Sequence, residues 1–149
     1  MTPPTPRDPN WRSRIPAMFD AAPFVRDVGF TLDAFEPGKA ETSLVLAERH
    51  LQQDGVVHAG VQATIADHTG GMAAATLLGA DEIVLTIEFK INLMTAARGE
   101  RLVCRAAVLK PGRRVVVSEA EVFAVTGDVE TLASKATVTL TFVPAGKIG

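Results

Sequence analysis

The stretch Gln52–Gln53–Asp54–Gly55–Val56–Val57–His58–Ala59–Gly60, continuing as VQATIADHTGGMAAATLLG over residues 61–79, decides how the chain is read. The Gly55 region reads as a turn, Ala59–Gly60 as a helix start, Val61–Leu78 as the helix body and Gly79 as its stop. The helix is built mostly of small residues: Ala63, Ala66, Gly70, Gly71, Ala73, Ala74 and Ala75. Glycine inside a helix costs about 1 kcal/mol relative to alanine. A helix carrying two in succession is predicted to be crowded on several sides, where larger side chains do not fit. Asp67 falls about two turns into it, among Ile65, Ala66, Gly70 and Gly71. A charge in such surroundings is costly unless it is partnered or functional. A helix start offers unpaired N–H groups and a partial positive charge. Donors at the start and a carboxylate further along supply the two halves of a hydrolytic centre.

Outward from this helix the period changes. Ala40–Leu46 alternates Ala40, Thr42, Leu44 and Leu46 against Glu41, Ser43 and Val45, a strand pattern preceded by the Pro37–Gly38 turn. After the helix, Val84–Met94 sets Ile87, Phe89, Ile91 and Leu93 against Thr86, Glu88, Lys90 and Asn92. Leu102–Leu109, Val115–Val125 and Thr131–Phe142 follow, separated by turns at Pro111–Gly112 and Thr126–Gly127–Asp128. The last strand puts Leu132, Ser134, Ala136, Val138, Leu140 and Phe142 on one face and Lys135, Thr137, Thr139 and Thr141 on the other. That is the alternation of an antiparallel sheet with one wet face. Upstream, Trp11, Ile15, Met18 and Phe19 recur at helical spacing over residues 11–22, with Pro16 near the first turn, and Phe24–Gly29 reads as a connector. Residues 1–10, with four prolines, read as a disordered or surface segment ahead of a single domain over 11–149. The expected fold is α+β: one long helix against a curved antiparallel sheet of about five strands, with a short N-terminal helix. One helix cannot cover such a sheet, so the open edge and face predict a homodimer.

Composition excludes several classes. A chain of 149 residues that is 47% hydrophobic can bury a real core. A net charge of −2 gives no basic field for nucleic acid and no polybasic membrane anchor. No apolar run approaches the ~18 residues of a membrane span, and residues 1–10 have no signal-peptide core, so a cytoplasmic setting is expected. The single Cys104, in a strand pattern, reads as a small buried residue, and it permits neither an intrachain disulfide nor a cysteine cluster. His50, His58 and His68 match no standard zinc spacing, and no metal is expected. His68 adjoins Asp67 but projects about 100° away from it on a helix, so the two are not expected to form a dyad.

With these residues in place, the chain resembles the hotdog-fold acyl-CoA thioesterases, and within them the phenylacetate-pathway branch, over roughly residues 24–143. The resemblance rests on Gln52, Gly55, His58, Ala59 with Gly60, and Asp67, and on Thr86 near the start of the strand after the helix. It implies hydrolysis of an acyl-CoA to free acid and coenzyme A, with coenzyme A as part of the substrate and no separate cofactor. The Ala59 N–H, with that of Gly60, would face the carbonyl oxygen as the oxyanion hole. Asp67 would activate a water as general base or attack directly to give an anhydride. Gln52 would hold the thioester or the water, His58 would shape the loop, and Thr86 would hydrogen-bond the water. The family commonly has glycine where Ala59 stands; alanine keeps the N–H and adds a methyl group. In related dimers the acid and the oxyanion donor come from opposite subunits, which implies a homodimer as the minimal unit and a dimer of dimers as the expected assembly.

Coenzyme A brings phosphates, and Lys110, Arg113 and Arg114 around the Pro111–Gly112 turn are the candidate basic rim. Met72, Ala75, Phe89, Ile91 and the segment around Phe24 are the candidate acyl-pocket walls. Two other readings stay open. A hotdog dehydratase or hydratase would pair His58 with Asp67, and a non-catalytic acyl-CoA-binding protein would keep the fold and the rim.

Overall fold

The computed structural model describes residues 4–147. The elements run α1 (Trp11–Asp20), α2 (Pro23–Val28), β1 (Thr31–Glu36), β2 (Lys39–Val45), α3 (Ala59–Ala75), β3 (Glu82–Leu93), β4 (Arg101–Lys110), β5 (Val115–Thr126) and β6 (Val129–Pro144). The strands form one antiparallel sheet in the order β1-β2-β4-β5-β6-β3. Helix α3 packs across its inner face, touching β2 through β6. This is the hotdog layout, with one more strand and one more short helix than the sequence suggested. Strand β1 escapes sequence reading because it is a sheet edge whose residues are exposed or half-buried, with an irregular register between Leu32 and Ala34. Residues 24–29 are mostly helix α2 rather than a connector: Pro23 starts it, and Gly29, at φ +101°, ends it in the left-handed region. Pro16 lies in the second turn of α1 rather than the first.

Helix α3 is buried as its composition implies. Ile65, Ala66, Thr69, Gly70, Ala73 and Ala74 are fully or almost fully enclosed. Hydroxyls tie it to the sheet. Thr42 and Thr69 share a hydrogen bond of 2.6 Å between their Oγ1 atoms, and Ser118 Oγ donates to the Gly70 carbonyl at 3.1 Å. A Cβ on Gly70 would meet Val138 Cγ2 at 3.1 Å, a tight approach that would push the Val138 methyl back by a few tenths of an ångström. Gly71 is different: its Cβ would stand 3.7 Å from Leu140, an ordinary contact. The helix ends at Thr76 rather than Gly79. Thr76 Oγ1 donates to the Ala73 carbonyl at 2.6 Å and accepts the Gly38 N–H at 2.8 Å, drawing the chain out of the helix before the glycine is reached. One stripe of α3 stays open: Val61, Thr64, Asp67, His68 and Gly71 are only half-buried, and they recur at three- and four-residue spacing.

The outer sheet face is charged. Arg105 bridges Glu41 and Glu130, and Lys135 bridges Glu119 and Glu121. Cys104, on the inner face of β4, is buried as expected, and burial pushes its thiol up to about 12. Residues 4–10 lie on the molecule: Arg7 donates to the Leu77 carbonyl and to the Glu82 carboxylate, and Arg14 reaches Asp8 and the carbonyls of Gly79 and Glu82. Among the described residues no helix is long and apolar enough to cross a membrane.

Candidate functional site

The helix start is built by a short knot of chain. Gln52 donates its N–H to the Val56 carbonyl at 2.8 Å and accepts the Gly55 N–H at 3.0 Å, with Gly55 at φ +71°. Arg98 holds the same turn through the Asp54 and Gly55 carbonyls. Val57 donates to the Ala97 carbonyl and His58 to the His50 carbonyl, both at 2.9 Å. His50 is buried with both ring nitrogens engaged, Nδ1 by the Ala47 N–H and Nε2 by the Val28 carbonyl at 2.7 Å, which ties the knot to α2.

His58 is the N-cap of α3, and its Nδ1 accepts the Gly60 N–H at 2.9 Å. Two consequences follow for the sequence reading. The Gly60 N–H is occupied by the cap, so it is not the free oxyanion donor that was expected beside Ala59. The cap also fixes the His58 proton on Nε2, so Nδ1 is not a free base. Ala59, the first helical residue, has no intrahelical acceptor for its N–H. Gln52, His58, Ala59 and Gln62 line a cavity of about 400 Å³ with residues Leu93–Ala97. Gln62 is absent from the sequence reading. It is buried, its Nε2 donates to the Val57 carbonyl at 3.3 Å, and its signal was a glutamine on the buried stripe of an apolar helix.

Asp67 lies elsewhere, about 12 Å along the helix from Ala59 at 1.5 Å per residue. Thr86 Oγ1 donates to Asp67 Oδ1 at 2.8 Å. Burial raises the Asp67 carboxyl above its ordinary range, and the Thr86 hydroxyl offsets part of that rise. A bulge brings Thr86 to Asp67. Strict alternation put Thr86 and Phe89 on opposite faces of β3, but the register shifts between Thr86 and Glu88, with Ile87 the extra residue. Val84 and Thr86 therefore pair with the inward Phe142 and Leu140, while Phe89 and Ile91 pair with the inward Val138 and Ala136. All four face the helix.

Two further cavities, each of about 220 Å³, flank Asp67. Met72, Met18 and Val84 line one; Phe24, Val25 and Phe89 line the other; Asp67 and His68 line both. Of the expected acyl walls, Met72, Phe89 and Phe24 face these cavities and Ile91 is half-buried against the core, whereas Ala75 is buried in the core and lines neither. Among the described residues, none of these cavities holds Asp67 together with Gln52 or Ala59. Within one chain the Gln52–Ala59 group and the Asp67–Thr86 pair therefore stand apart. Lys110, Arg113 and Arg114 stand exposed at the β4–β5 hairpin, beside the far end of α3, where Arg113 and Arg7 border a cavity of about 310 Å³. No group of three or more potential metal ligands occurs among the described residues.

Comparison with known proteins bears on the family and the fold. Acyl-coenzyme A thioesterase 13 of Homo sapiens is 33% identical over 113 residues, covering 74% of this chain and 79% of that protein. The 1,4-dihydroxy-2-naphthoyl-CoA hydrolase of Listeria monocytogenes is 27% identical over 95 residues, covering 64% of this chain and 77% of that protein. A thioesterase family protein of Silicibacter pomeroyi superposes with a TM-score of 0.88 at 32% identity, covering 91% of this chain and 99% of that one. Residues 54–131 match the Thioesterase superfamily, and with these relatives the match makes the chain a member of that superfamily, a hotdog-fold thioester hydrolase.

Proposed function

We propose that the protein hydrolyses acyl-CoA thioesters, with Asp67 delivering water or attacking the carbonyl and the Ala59 N–H stabilising the oxyanion. The observation that carries this reading is Asp67 itself: a half-buried carboxylate, held by Thr86, between two cavities of mostly apolar lining. A carboxylate raised by burial is more basic than a free one, which suits proton abstraction from water. The engaged Nδ1 of His58 speaks against a dehydratase that uses His58 as its base.

The two halves meet if a second copy pairs along β3. That edge is unpaired and exposes Leu85, Ile87, Phe89 and Leu93 at 40–57% of their surface. In such a homodimer, Gln52 and Ala59 of one chain would face Asp67 and Thr86 of the other. The basic hairpin residues Lys110, Arg113 and Arg114 would meet the phosphates of coenzyme A at the rim, and two dimers would pair into a tetramer. The test is free-thiol release from aromatic and aliphatic acyl-CoAs by wild type and Asp67→Asn. Release by wild type, reduced at least 100-fold in the variant, is expected for loss of the reacting group. Equal release by both would remove Asp67 from the mechanism.

A further inference from the structure

Gln62 is a buried polar side chain to which the hydrolytic reading gives no task. Only 4% of it is exposed, on a stripe of α3 where packing alone favours an apolar residue. Its Oε1 is buried without a hydrogen-bond partner among the described residues, which is unfavourable for an amide away from water. The bonds it does make lie at the helix start. Its side-chain Nε2 donates to the Val57 carbonyl at 3.3 Å, and its backbone N–H donates to the His58 carbonyl at 3.3 Å. The Val61 N–H shares that second carbonyl at 3.0 Å, and the His58 N–H is held by the His50 carbonyl at 2.9 Å. Gln62 therefore grips the peptide before His58 with its side chain and the peptide after it with its backbone. The second of these peptides carries the Ala59 N–H. A peptide unit is planar and trans, so its N–H points opposite to its carbonyl. His58 sits at φ −58° and ψ 138°, and these two torsions set the angle between the peptides.

We propose that Gln62 is a positioning residue for thioester cleavage: its amide holds the Val57–His58 peptide, and through it the His58 torsions, so that the Ala59 N–H is aimed at the oxyanion. The inference rests on the reading of Ala59 as the oxyanion donor. Such a donor is worth most when its direction is set before the reaction. The helix ladder holds the peptide after His58. The peptide before it is held at its N–H by His50 and at its carbonyl by Gln62. Gln62 lines the same cavity as Gln52, His58 and Ala59, but its grip is on the backbone and not on reacting atoms. The grip needs a donor: methionine matches the length of glutamine but leaves the Val57 carbonyl without this bond. The unmet Oε1 fits a residue kept for direction rather than for stability.

The experiment measures kcat and KM for thiol release from aromatic and aliphatic acyl-CoAs with wild type, Gln62→Met, Ala59→Pro and the double variant. Proline is accepted at a first helical position, removes the Ala59 N–H and favours the extended ψ that His58 already has. Ala59→Pro is expected to lower kcat about 100-fold, as loss of an oxyanion donor does. Gln62→Met is expected to lower kcat about tenfold, with KM within about twofold and Tm within about 3 °C of wild type. Gln62→Leu carries the same expectation and replaces it if the methionine variant does not fold. In the Ala59→Pro background the Gln62 substitution should cost less than about twofold, because the donor it aims is gone. An unchanged kcat in the Gln62 variants overturns the role. So does a tenfold loss that persists beside Ala59→Pro, which a merely structural effect would give. Thiol release by wild type from no acyl-CoA, or an Ala59→Pro variant as active as wild type, overturns the reading of the site and the role of Gln62 with it; the other two outcomes overturn the role alone.

Discussion

Asp67 shows how the fold yields to chemistry at one residue. A carboxyl raised by burial contributes most to folding below its unfolded pKa, and that contribution is lost as pH rises through the folded value. The charged form that the proposed chemistry needs is therefore the form the fold disfavours. Thr86 moderates this by donating to Oδ1. Thr86→Val removes the donor at nearly constant volume, so Asp67 should hold its proton to higher pH. The acid limb of the kcat/KM profile is expected to move up by about half to one pH unit, and a limb that stays or moves down would exclude this role. The places of Asp67 and Ala59 along α3 were legible in the sequence because helical spacing sets them relative to the helix start, whereas the roles proposed for them came from the resemblance. The setting of His68 was not legible: a helical wheel turns it away from Asp67, yet the cavities wrap around the helix and both residues line them. Nor could spacing show that His58 would consume the Gly60 N–H.

Among the elements, α3 and β3 were legible to different depths. The small residues of α3 announced a crowded helix, but its two glycines do different things. Gly71→Ala is expected to raise Tm by about 2–4 °C, because it recovers helix propensity of up to about 1 kcal/mol at an ordinary contact. Gly70→Ala must push against Val138 and should fall short of that gain. Equal melting temperatures for the two variants would mean that Val138 yields to the added methyl group at no cost. In β3 the alternation identified a strand, while the extra residue at Ile87 was invisible. Periodicity reports which residues could share a face, and pairing with β6 decides which ones do. The edge strand β1 and the six-residue α2 lack the length or the one-sided burial that makes a period readable.

At the scale of the whole molecule, the separation of Gln52 and Ala59 from Asp67 and Thr86 makes a sharp prediction. Asp67→Asn and Gln52→Ala should each be nearly inactive alone. Unfolded together and refolded, they should form mixed dimers carrying one intact site of two, recovering about a quarter of wild-type activity if subunits pair at random. No recovery would mean that each chain completes its own site. The N-terminal helices carry a different consequence. Segment 4–30 is fastened by Arg7 and Arg14 at one end and by the His50 bond to the Val28 carbonyl at the other. Between those fasteners it lays Met18 and Phe24 over the cavities beside Asp67 and packs Phe19 against His68, and it contributes no strand to the sheet. The segment is thus part core and part cover: Ile15, Phe19 and Val25 are buried in the core, while Met18 and Phe24 reach the cavities. On the proposed reading, substitutions at Met18 and Phe24 would change which acyl group is accepted while leaving Asp67 and Ala59 in place.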